Sequence, residues 1–513
     1  MRRRRIAGAA VLAIAVTACG TTVNQSGATA AGGGLAQPGA DGLAGPTGVG
    51  QPGTTAGTLG GPAVADGSSG QAAGLTPGGT TSAAGSGPAG GSAGSGGTSG
   101  AAGAVTGRGL TATQLTIGVV TTQDAATIGK SIGAESLVGG DHVAEIDALV
   151  KHINDRGGIA GRKLAVVYQD VRTSDATSDP NNSAQSACDG LTQDKQVYAV
   201  VSIVAQLNND VMYQCMAKHG TPFFGVDLVP HHAAQFARYA PHVYGAHTLV
   251  LERLVPTLVS RLQAQSWFSG WDTANGGPGP APAKVGVLYV STDRGYLQLA
   301  TRELARSGHP LASSFGYRDD LSTLSSDMQS AVLQFRSAGV THLLIEESDG
   351  VLFFLPAAEN QGYRPRYGMT SLNAAKALAD TGALPVRQFT GMRGVGWTPA
   401  LDVGNTKREV STAAASCRKV MTDAGRDTTD ATAFFYMAVE CDAFLLLKSG
   451  LERQHSFTPT GLRQGLEALG SSFVSAAATG IGWHPGSYDG VSALTDFGYD
   501  NGTFSYRGSA HPT

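Results

Sequence analysis

The chain has little charge, few aromatic residues and no closely spaced cysteine pair. Charged residues make up 15% of its 513 residues and aromatic residues 7%. Its 36 Lys and Arg face 39 Asp and Glu, a balance that disfavours a nucleic-acid partner because such a partner needs excess positive charge. No C-x-x-C motif occurs among the five cysteines, so neither a redox-active dithiol nor a cysteine zinc site is expected.

The amino terminus has an apolar run that is too short to form a permanent membrane span. Residues 1–5 contain four arginines, residues 6–16 are apolar, and small residues precede Cys19. This order is typical of an export signal. The segment is similar to the lipobox of bacterial lipoproteins, and this similarity implies that Cys19 becomes a lipid-modified first residue. A coincidental cysteine after a signal peptide is the alternative.

Residues 20–107 consist almost entirely of Gly, Ala, Ser, Thr, Pro and Gln, with Asp41 and Asp66 as the charged residues. Such a composition buries too little apolar surface to offset the entropy of ordering, so it predicts a disordered tether. As a flexible coil this tether would have a root-mean-square span of about 50 Å. The folded part could then work at some distance from its membrane.

The four remaining cysteines agree with export. Their even number is compatible with two disulfides in an oxidising compartment. Cys188 and Cys215 lie on predicted helices either side of one strand, which share a sheet face in a right-handed winding. Cys417 and Cys441 also fall on consecutive predicted helices. We expect these two local pairs, with buried free thiols as the alternative.

Strand and helix patterns alternate from residue 115 onward. Predicted strands lie at 115–120, 163–168, 198–204, 222–226, 284–290, 313–317, 342–346 and 366–370. Predicted helices lie at 138–156, 180–192, 207–219, 248–265, 295–307, 324–338, 351–361, 405–424 and 431–450. Alternation of this kind indicates an α/β protein with mostly parallel sheets, and residues 491–506 form a strand-rich tail.

The stretch INDRGGIAGRKLAVVYQD, residues 153–170, joins the end of an amphipathic helix to an apolar strand. It resembles the N-x-x-G-G-I-x-G-R/K motif, followed by a strand and an Asp, of type I periplasmic solute-binding proteins of the leucine/isoleucine/valine-binding kind. Proteins of that family are receptors of ABC importers. The residues that carry the resemblance are Asn154, Gly157, Gly158, Ile159, Gly161, Arg162 and Asp170.

The resemblance implies the type I periplasmic-binding-protein fold, with two Rossmann-like lobes joined by a three-segment hinge. It divides the chain into a signal peptide at 1–19, the tether at 20–107, the first lobe at 108–247 and 372–480, and the second lobe at 248–371 and 481–513. Periodicity alone would show only two rounds of strands and helices, so the crossings depend on the resemblance.

In open parallel sheets a ligand binds where the strands end and the helices begin. The expected ligand-binding residues are Gln123, Asp124, Ala205, Gln206, Leu207, Asn208, Asp227, Tyr296, Glu347, Ser348, Asp349, Ser371 and Asn373. Each could equally serve in a turn or helix cap. Amino-acid receptors of the family usually have a Ser/Thr pair after the third and fourth strands. This chain has Ala205, Gln206 and Leu207, then Asp227 and Leu228, at those places, so an α-amino acid ligand is not implied.

Three catalytic patterns have simpler explanations. Residues 124–131 nearly match a phosphate-binding loop, but Asp124 replaces its first glycine and would repel phosphate. Residues 90–94 match a nucleophile elbow, yet they lie in the tether without a strand or helix. Four histidines after a strand lack Cys or acidic partners at metal spacing, so turn and cap roles are expected; they are His231, His232, His242 and His247. We therefore expect no enzyme activity, no cofactor and no metal.

Together these features predict a lipoprotein outside the cytoplasm, anchored to the membrane through Cys19. It would capture a small polar solute and present it to the permease subunits of an ABC transporter. The alternative is a ligand sensor or cell-envelope interaction module with the same fold and no transport role. An exported hydrolase would need a nucleophile and base together in the candidate loops, and the sequence of those loops shows no such pair.

Overall fold

Two β-sheets organise the folded part of the chain. The computed structural model describes residues 107–122, 124–125, 127, 139–226, 228–271, 273–275, 277–404, 411–487 and 489–513. The first sheet is parallel, in the order β2-β1-β3-β4-β5. Its strands are β1 (Gln114–Thr121), β2 (Lys163–Asp170), β3 (Ala199–Ser202), β4 (Phe223–Gly225) and β5 (Val243–Gly245). We call this sheet and its helices the first lobe.

The helices of the first lobe follow its strands. They are α1 (His142–Asp155), α2 (Thr173–Ser178), α3 (Pro180–Asp189), α4 (Asp210–Lys218) and α5 (Ala233–Tyr239). Helix α1 begins where Asp141 accepts a hydrogen bond from the Ala144 amide at 3.1 Å, a typical N-cap. It ends before Gly157 and Gly158, whose positive φ angles of 97° and 74° suit glycine at a helix end.

The second sheet is mixed, in the order β11-β12-β10-β9-β8-β6-β7, with β13 paired to β12. Its strands are β6 (Val285–Val290), β7 (Leu311–Tyr317), β8 (His342–Ile345), β9 (Arg366–Thr370), β10 (Arg393–Gly396), β11 (Gly480–Ile481), β12 (Val491–Asp500) and β13 (Thr503–Pro512). The helices between them are α6 (Leu251–Ala264), α7 (Arg294–Arg306), α8 (Leu321–Ser337), α9 (Ser348–Asn360), α10 (Ala375–Asp380) and α11 (Pro399–Val403). We call this unit the second lobe. The predicted α/β class with mostly parallel sheets in two lobes is confirmed.

Three further helices precede the final strands. They are α12 (Thr412–Asp423), α13 (Ala431–Gln454) and α14 (Pro459–Leu469). Both α12 and α13 contact α1, and α14 packs on α13, so this segment adds to the first lobe. The resemblance implied that the chain returns to the first lobe at residue 372. Strand β10, which follows that residue, instead belongs to the second sheet, where it pairs with β9 and β12.

Two of the three connections between the lobes meet at one buried carboxylate, that of Asp442 on α13, and the remaining connection is joined to it through His247. His247, in the first connection, places Nε2 2.9 Å from Asp442 Oδ2. Ser475, in the third, donates its hydroxyl to the same carboxylate, and the Ala476 amide donates at 2.7 Å. Trp397, where the second connection begins, donates its indole N–H to the His247 carbonyl at 2.9 Å. We call these residues the hinge hub.

Both disulfides lie in the first lobe. Cys188–Cys215 joins α3 to α4, and Cys417–Cys441 joins α12 to α13. The local pairing expected from the sequence is therefore confirmed. Within the described part of the chain, every helix is too short or too polar to cross a bilayer. Residues 1–106, including Cys19 and most of the expected tether, lie outside the described residues.

Replacing both Cys417 and Cys441 by Ser should lower the free energy of unfolding of the first lobe by about 3 kcal/mol, because the cross-link restricts the unfolded chain over a short loop. Denaturant unfolding measures this loss. The control is reductant: it should destabilise the wild type further than the double variant. Equal sensitivity of the two proteins would contradict a role for this bridge.

Candidate ligand cleft

The carboxyl ends of the two sheets face each other through an ionic contact. His232 follows β4 in the first lobe, and its Nε2 lies 2.9 Å from Oδ1 of Asp293, which follows β6 in the second lobe. The other ring nitrogen, Nδ1, lies 2.8 Å from Oε1 of Glu252 at the start of α6. The loops after β4 and β6 therefore meet across the space between the lobes, where a ligand of an open α/β sheet would bind.

Charge stabilises this contact. The hydrogen bonds to Asp293 and Glu252 raise the pKa of His232 to about 10, so the imidazole is a cation at neutral pH. Burial acts to raise the pKa of Asp293, but the hydrogen bonds from His232 and the Tyr296 amide hold it below its usual value. A carboxylate bonded to a charged donor is stabilised in its ionised form. The three side chains form one ionic group that spans both lobes.

A second set of carboxyls lies where β7 and β8 end. We call Asp319, Glu346, Glu347 and Asp349 the acidic group. Glu346 is buried and accepts a hydrogen bond from the Val290 amide at 2.8 Å; burial raises its pKa well above the usual value. Glu347 accepts a hydrogen bond from the Tyr317 hydroxyl at 3.2 Å.

Burial and mutual repulsion shift the titration of the acidic group. Burial, then Asp349 and Asp319, raise the pKa of Glu347 to about 8. Burial, then Asp319, raise that of Asp349 to about 6. Such carboxyls gain from a positive charge or from hydroxyl donors nearby. The second lobe thus offers a surface suited to a cationic or polyhydroxyl ligand.

The expected ligand-binding residues of the first lobe differ in their exposure and in their hydrogen bonds. Asp124 accepts hydrogen bonds from the Thr173 amide at 3.0 Å and from its hydroxyl at 2.7 Å, so it holds the loop after β1 against α2. Ala205, Gln206 and Leu207 form a single 3-10 turn. Gln206 is exposed there, whereas Leu207 and Asn208 are buried. Two further expected residues, Gln123 and Asp227, lie outside the described residues.

The expected second-lobe residues beyond the acidic group are held by internal bonds. Ser371 donates its hydroxyl to Asp402 at 2.8 Å and accepts from the Trp397 amide at 2.8 Å. Asn373 accepts from the Thr370 amide at 2.7 Å and donates to the Ile345 carbonyl at 3.1 Å. Tyr296 is buried in the first turn of α7, and Ser348 begins α9. Their contact with a ligand stays a prediction.

Sequence reasoning missed the acidic partners of the histidines. His232 does cap α5, as expected of a turn residue, but it also pairs with carboxylates 20 and 61 residues away. It missed Asp402 too, whose pKa burial raises to about 7 against the hydrogen bonds from Tyr506 and Ser371. The one feature of the sequence that pointed to His232 as a site residue was its position after a strand. No local spacing connects it to Asp293, because tertiary structure brings them together.

Comparison with protein-family models and with curated protein sequences finds no match. Solved structures do match. A substrate-binding protein of an ABC transporter from Desulfitobacterium hafniense, in complex with leucine, superposes with a TM-score of 0.53 at 16% identity, covering 77% of this chain and 100% of the other. The leucine-binding protein LivK from Thermotoga maritima gives 0.53 at 11% identity, over 78% and 98% of the two chains.

A third structure extends the comparison to another ligand. It is a solute-binding protein from R. palustris in complex with 4-hydroxybenzoate, with a TM-score of 0.56 at 10% identity over 77% of this chain and 95% of the other. The chain has the type I periplasmic-binding-protein fold. This confirms the fold implied by the resemblance at residues 153–170.

Replacing His232 by Gln should lower the free energy of unfolding by about 1 kcal/mol at pH 6, the partial exposure of the group reducing the effect. The folded pKa is raised to about 10 from 6.5, so the stabilisation is complete below about pH 6.5 and is lost as the pH rises through about 10. Because the pKa values of Asp293 and Glu252 are lowered, the stability that their ionised carboxylates contribute is lost only in acid.

Chemical denaturation from pH 5 to pH 10.5 measures this difference. His484→Gln is the matched control, since this histidine is exposed and its Nδ1 lies 3.2 Å from the Pro485 carbonyl rather than beside a carboxylate. A loss for His232→Gln that stays constant up to pH 10.5 would show that the ring contributes packing rather than charge.

Proposed function

We propose that this chain is an extracytoplasmic solute-binding lipoprotein that captures a small polar molecule between its lobes and delivers it to an ABC permease. The observation that carries the proposal is the two-lobed fold with charged loops of both lobes meeting at His232 and Asp293. The matching solved structures include proteins in complex with leucine and with 4-hydroxybenzoate. Lipidation at Cys19 would anchor the protein, and residues 20–107 would tether it.

The proposed mechanism is a change in the hinge equilibrium. A ligand that touches both lobes only in the closed form stabilises that form by its difference in affinity. The loops at 121–128 and 205–208 would bind from the first lobe, and those at 293–296, 346–349 and 371–373 from the second. No covalent step is required.

The chemistry of the solute follows from the acidic group. Glu347 and Asp349 lie half-buried at the edge of the second lobe, and their raised pKa values show that a neighbouring positive charge would stabilise their ionised forms. Ala205 and Gln206 offer no hydroxyl for a ligand carboxylate. A cationic or polyhydroxyl solute therefore fits these residues better than an α-amino acid does.

A thermal-shift screen of the purified chain against amines, polyols, sugars, amino acids and organic acids tests this function, together with mass spectrometry of copurifying ligands. A true solute should stabilise the protein by about 2.7 kcal/mol at a hundredfold excess over its Kd. If no compound shifts the Tm, and the protein copurifies with an envelope enzyme or a kinase instead of a permease, the chain is a sensor or interaction module.

Replacing Glu347 by Gln should raise the Kd of a cationic solute found in that screen about tenfold, which corresponds to roughly 1.4 kcal/mol of binding free energy. The change removes a charge while keeping the size of the side chain. Titration calorimetry measures the Kd. Glu467→Gln is the control, because Glu467 pairs with Arg463 on α14 in the first lobe. Equal Kd values for both variants would remove Glu347 from the binding site.

A further inference from the structure

Three titratable side chains lie together inside the first lobe, away from the residues discussed so far. His142 begins α1, Glu145 follows one turn later, and Glu440 projects from the middle of α13. His142 Nδ1 lies 2.7 Å from Glu440 Oε1 and 3.5 Å from Glu145 Oε2. One ligand atom from each side chain lies within 4.8 Å of the other two. We call these residues the HEE cluster.

The HEE cluster buries two carboxyl groups against one imidazole. Glu145 and Glu440 are 1% and 0% exposed. Glu145 Oε2 and Glu440 Oε2 have no hydrogen-bond partner among the described residues. A buried carboxylate oxygen without a donor is costly, and one imidazolium can neutralise only one of the two carboxylates. The two unpartnered oxygens therefore point to a partner that the described residues do not supply, and a cation would meet this need.

We propose that the HEE cluster binds a divalent transition-metal ion, with Zn²⁺ as the best fit, through His142 Nδ1 and one carboxylate oxygen each of Glu145 and Glu440. Zn²⁺ takes imidazole nitrogen and carboxylate oxygen at about 2.0–2.2 Å. Tetrahedral ligands at that radius lie roughly 3.4 Å apart. The 3.5 Å separation between His142 and Glu145 is of this size, and the 2.7 Å hydrogen bond between His142 and Glu440 would lengthen when the ion replaces its proton. A water molecule would complete the coordination.

The backbone packs closely against the cluster. Gly139 and Gly140 close over the cluster. A Cβ at Gly139 would lie 2.5 Å from His142 Cε1, and one at Gly140 would collide with the Glu145 carboxylate.

The ion would cross-link distant parts of the chain. His142 and Glu440 are 298 residues apart, and the second lobe is inserted between them. A second group of potential ligands, Asp189, Cys215 and His219, carries no such proposal because Cys215 is bound in a disulfide. Among the described residues, the HEE cluster thus combines a suitable donor set with unpartnered buried oxygens.

The test is metal binding by the full chain after removal of bound metal with EDTA. Zn²⁺ added to the stripped protein should bind at about one ion per chain, by calorimetry and elemental analysis, and raise the Tm by roughly 5 °C. Glu145→Gln and Glu440→Gln should each raise the Kd for Zn²⁺ at least about a hundredfold. Glu452→Gln, on the same helix and paired with Lys448, should bind Zn²⁺ like the wild type.

Measurements on the variants after removal of bound metal distinguish metal binding from a purely structural role of the cluster. Glu145→Gln removes a buried carboxylate beside another, so without metal its Tm should equal or exceed that of the wild type, while Zn²⁺ no longer raises it. If Zn²⁺ binds the Gln variants as tightly as the control, or if the wild type takes up no ion at this stoichiometry, the proposal is overturned and the cluster is a buried hydrogen-bonded group only.

Discussion

The buried carboxylate of Asp442 is the constraint on which the two-lobed arrangement depends. A charge inside a protein must be matched by donors, and removal of one donor leaves it uncompensated. Here the donors come from separate connections, with His247 in the first and Ser475 in the third. Trp397 ties the second connection to His247. Two connections therefore share one anchor on α13, and the remaining one is joined to it through the His247 carbonyl.

The cleft divides its chemistry unevenly between the lobes. In the first lobe, Asp124 uses its carboxylate on Thr173, and the turn at 205–207 offers the exposed Gln206. In the second lobe the acidic group keeps carboxyls at the edge, with pKa values set by burial and mutual repulsion. The second lobe thus presents carboxyls that a ligand could meet, while His232 of the first lobe provides a cation that pairs with Asp293.

The sequence predicted those features that depend on interactions between residues close together in the chain. The glycines that end α1, the alternation of strands and helices and the cysteines on consecutive helices are all visible in short windows, and each was confirmed. The short strand β10 was not predicted, because its four residues include two glycines and show no strand pattern of their own. Its strand conformation depends on pairing with β9 and β12. The hydrogen-bond partners of Ser371 and His232 could not be predicted from the sequence either. Asp402 and Asp293 lie 31 and 61 residues away, and only packing brings them near.

The placement of the disulfides has a mechanical consequence. One bridge belongs to the helices α3 and α4, and the other to α12 and α13, which pack with α1. Val120 and Val119 of β1 point to the two different hydrophobic clusters that contain these bridges, so both faces of the first sheet carry a covalent brace. Residues 248–404 contain no cysteine. Because both bridges lie in the first lobe, unfolding of that lobe must work against two covalent cross-links, whereas the described residues of the second lobe depend on packing and hydrogen bonds alone.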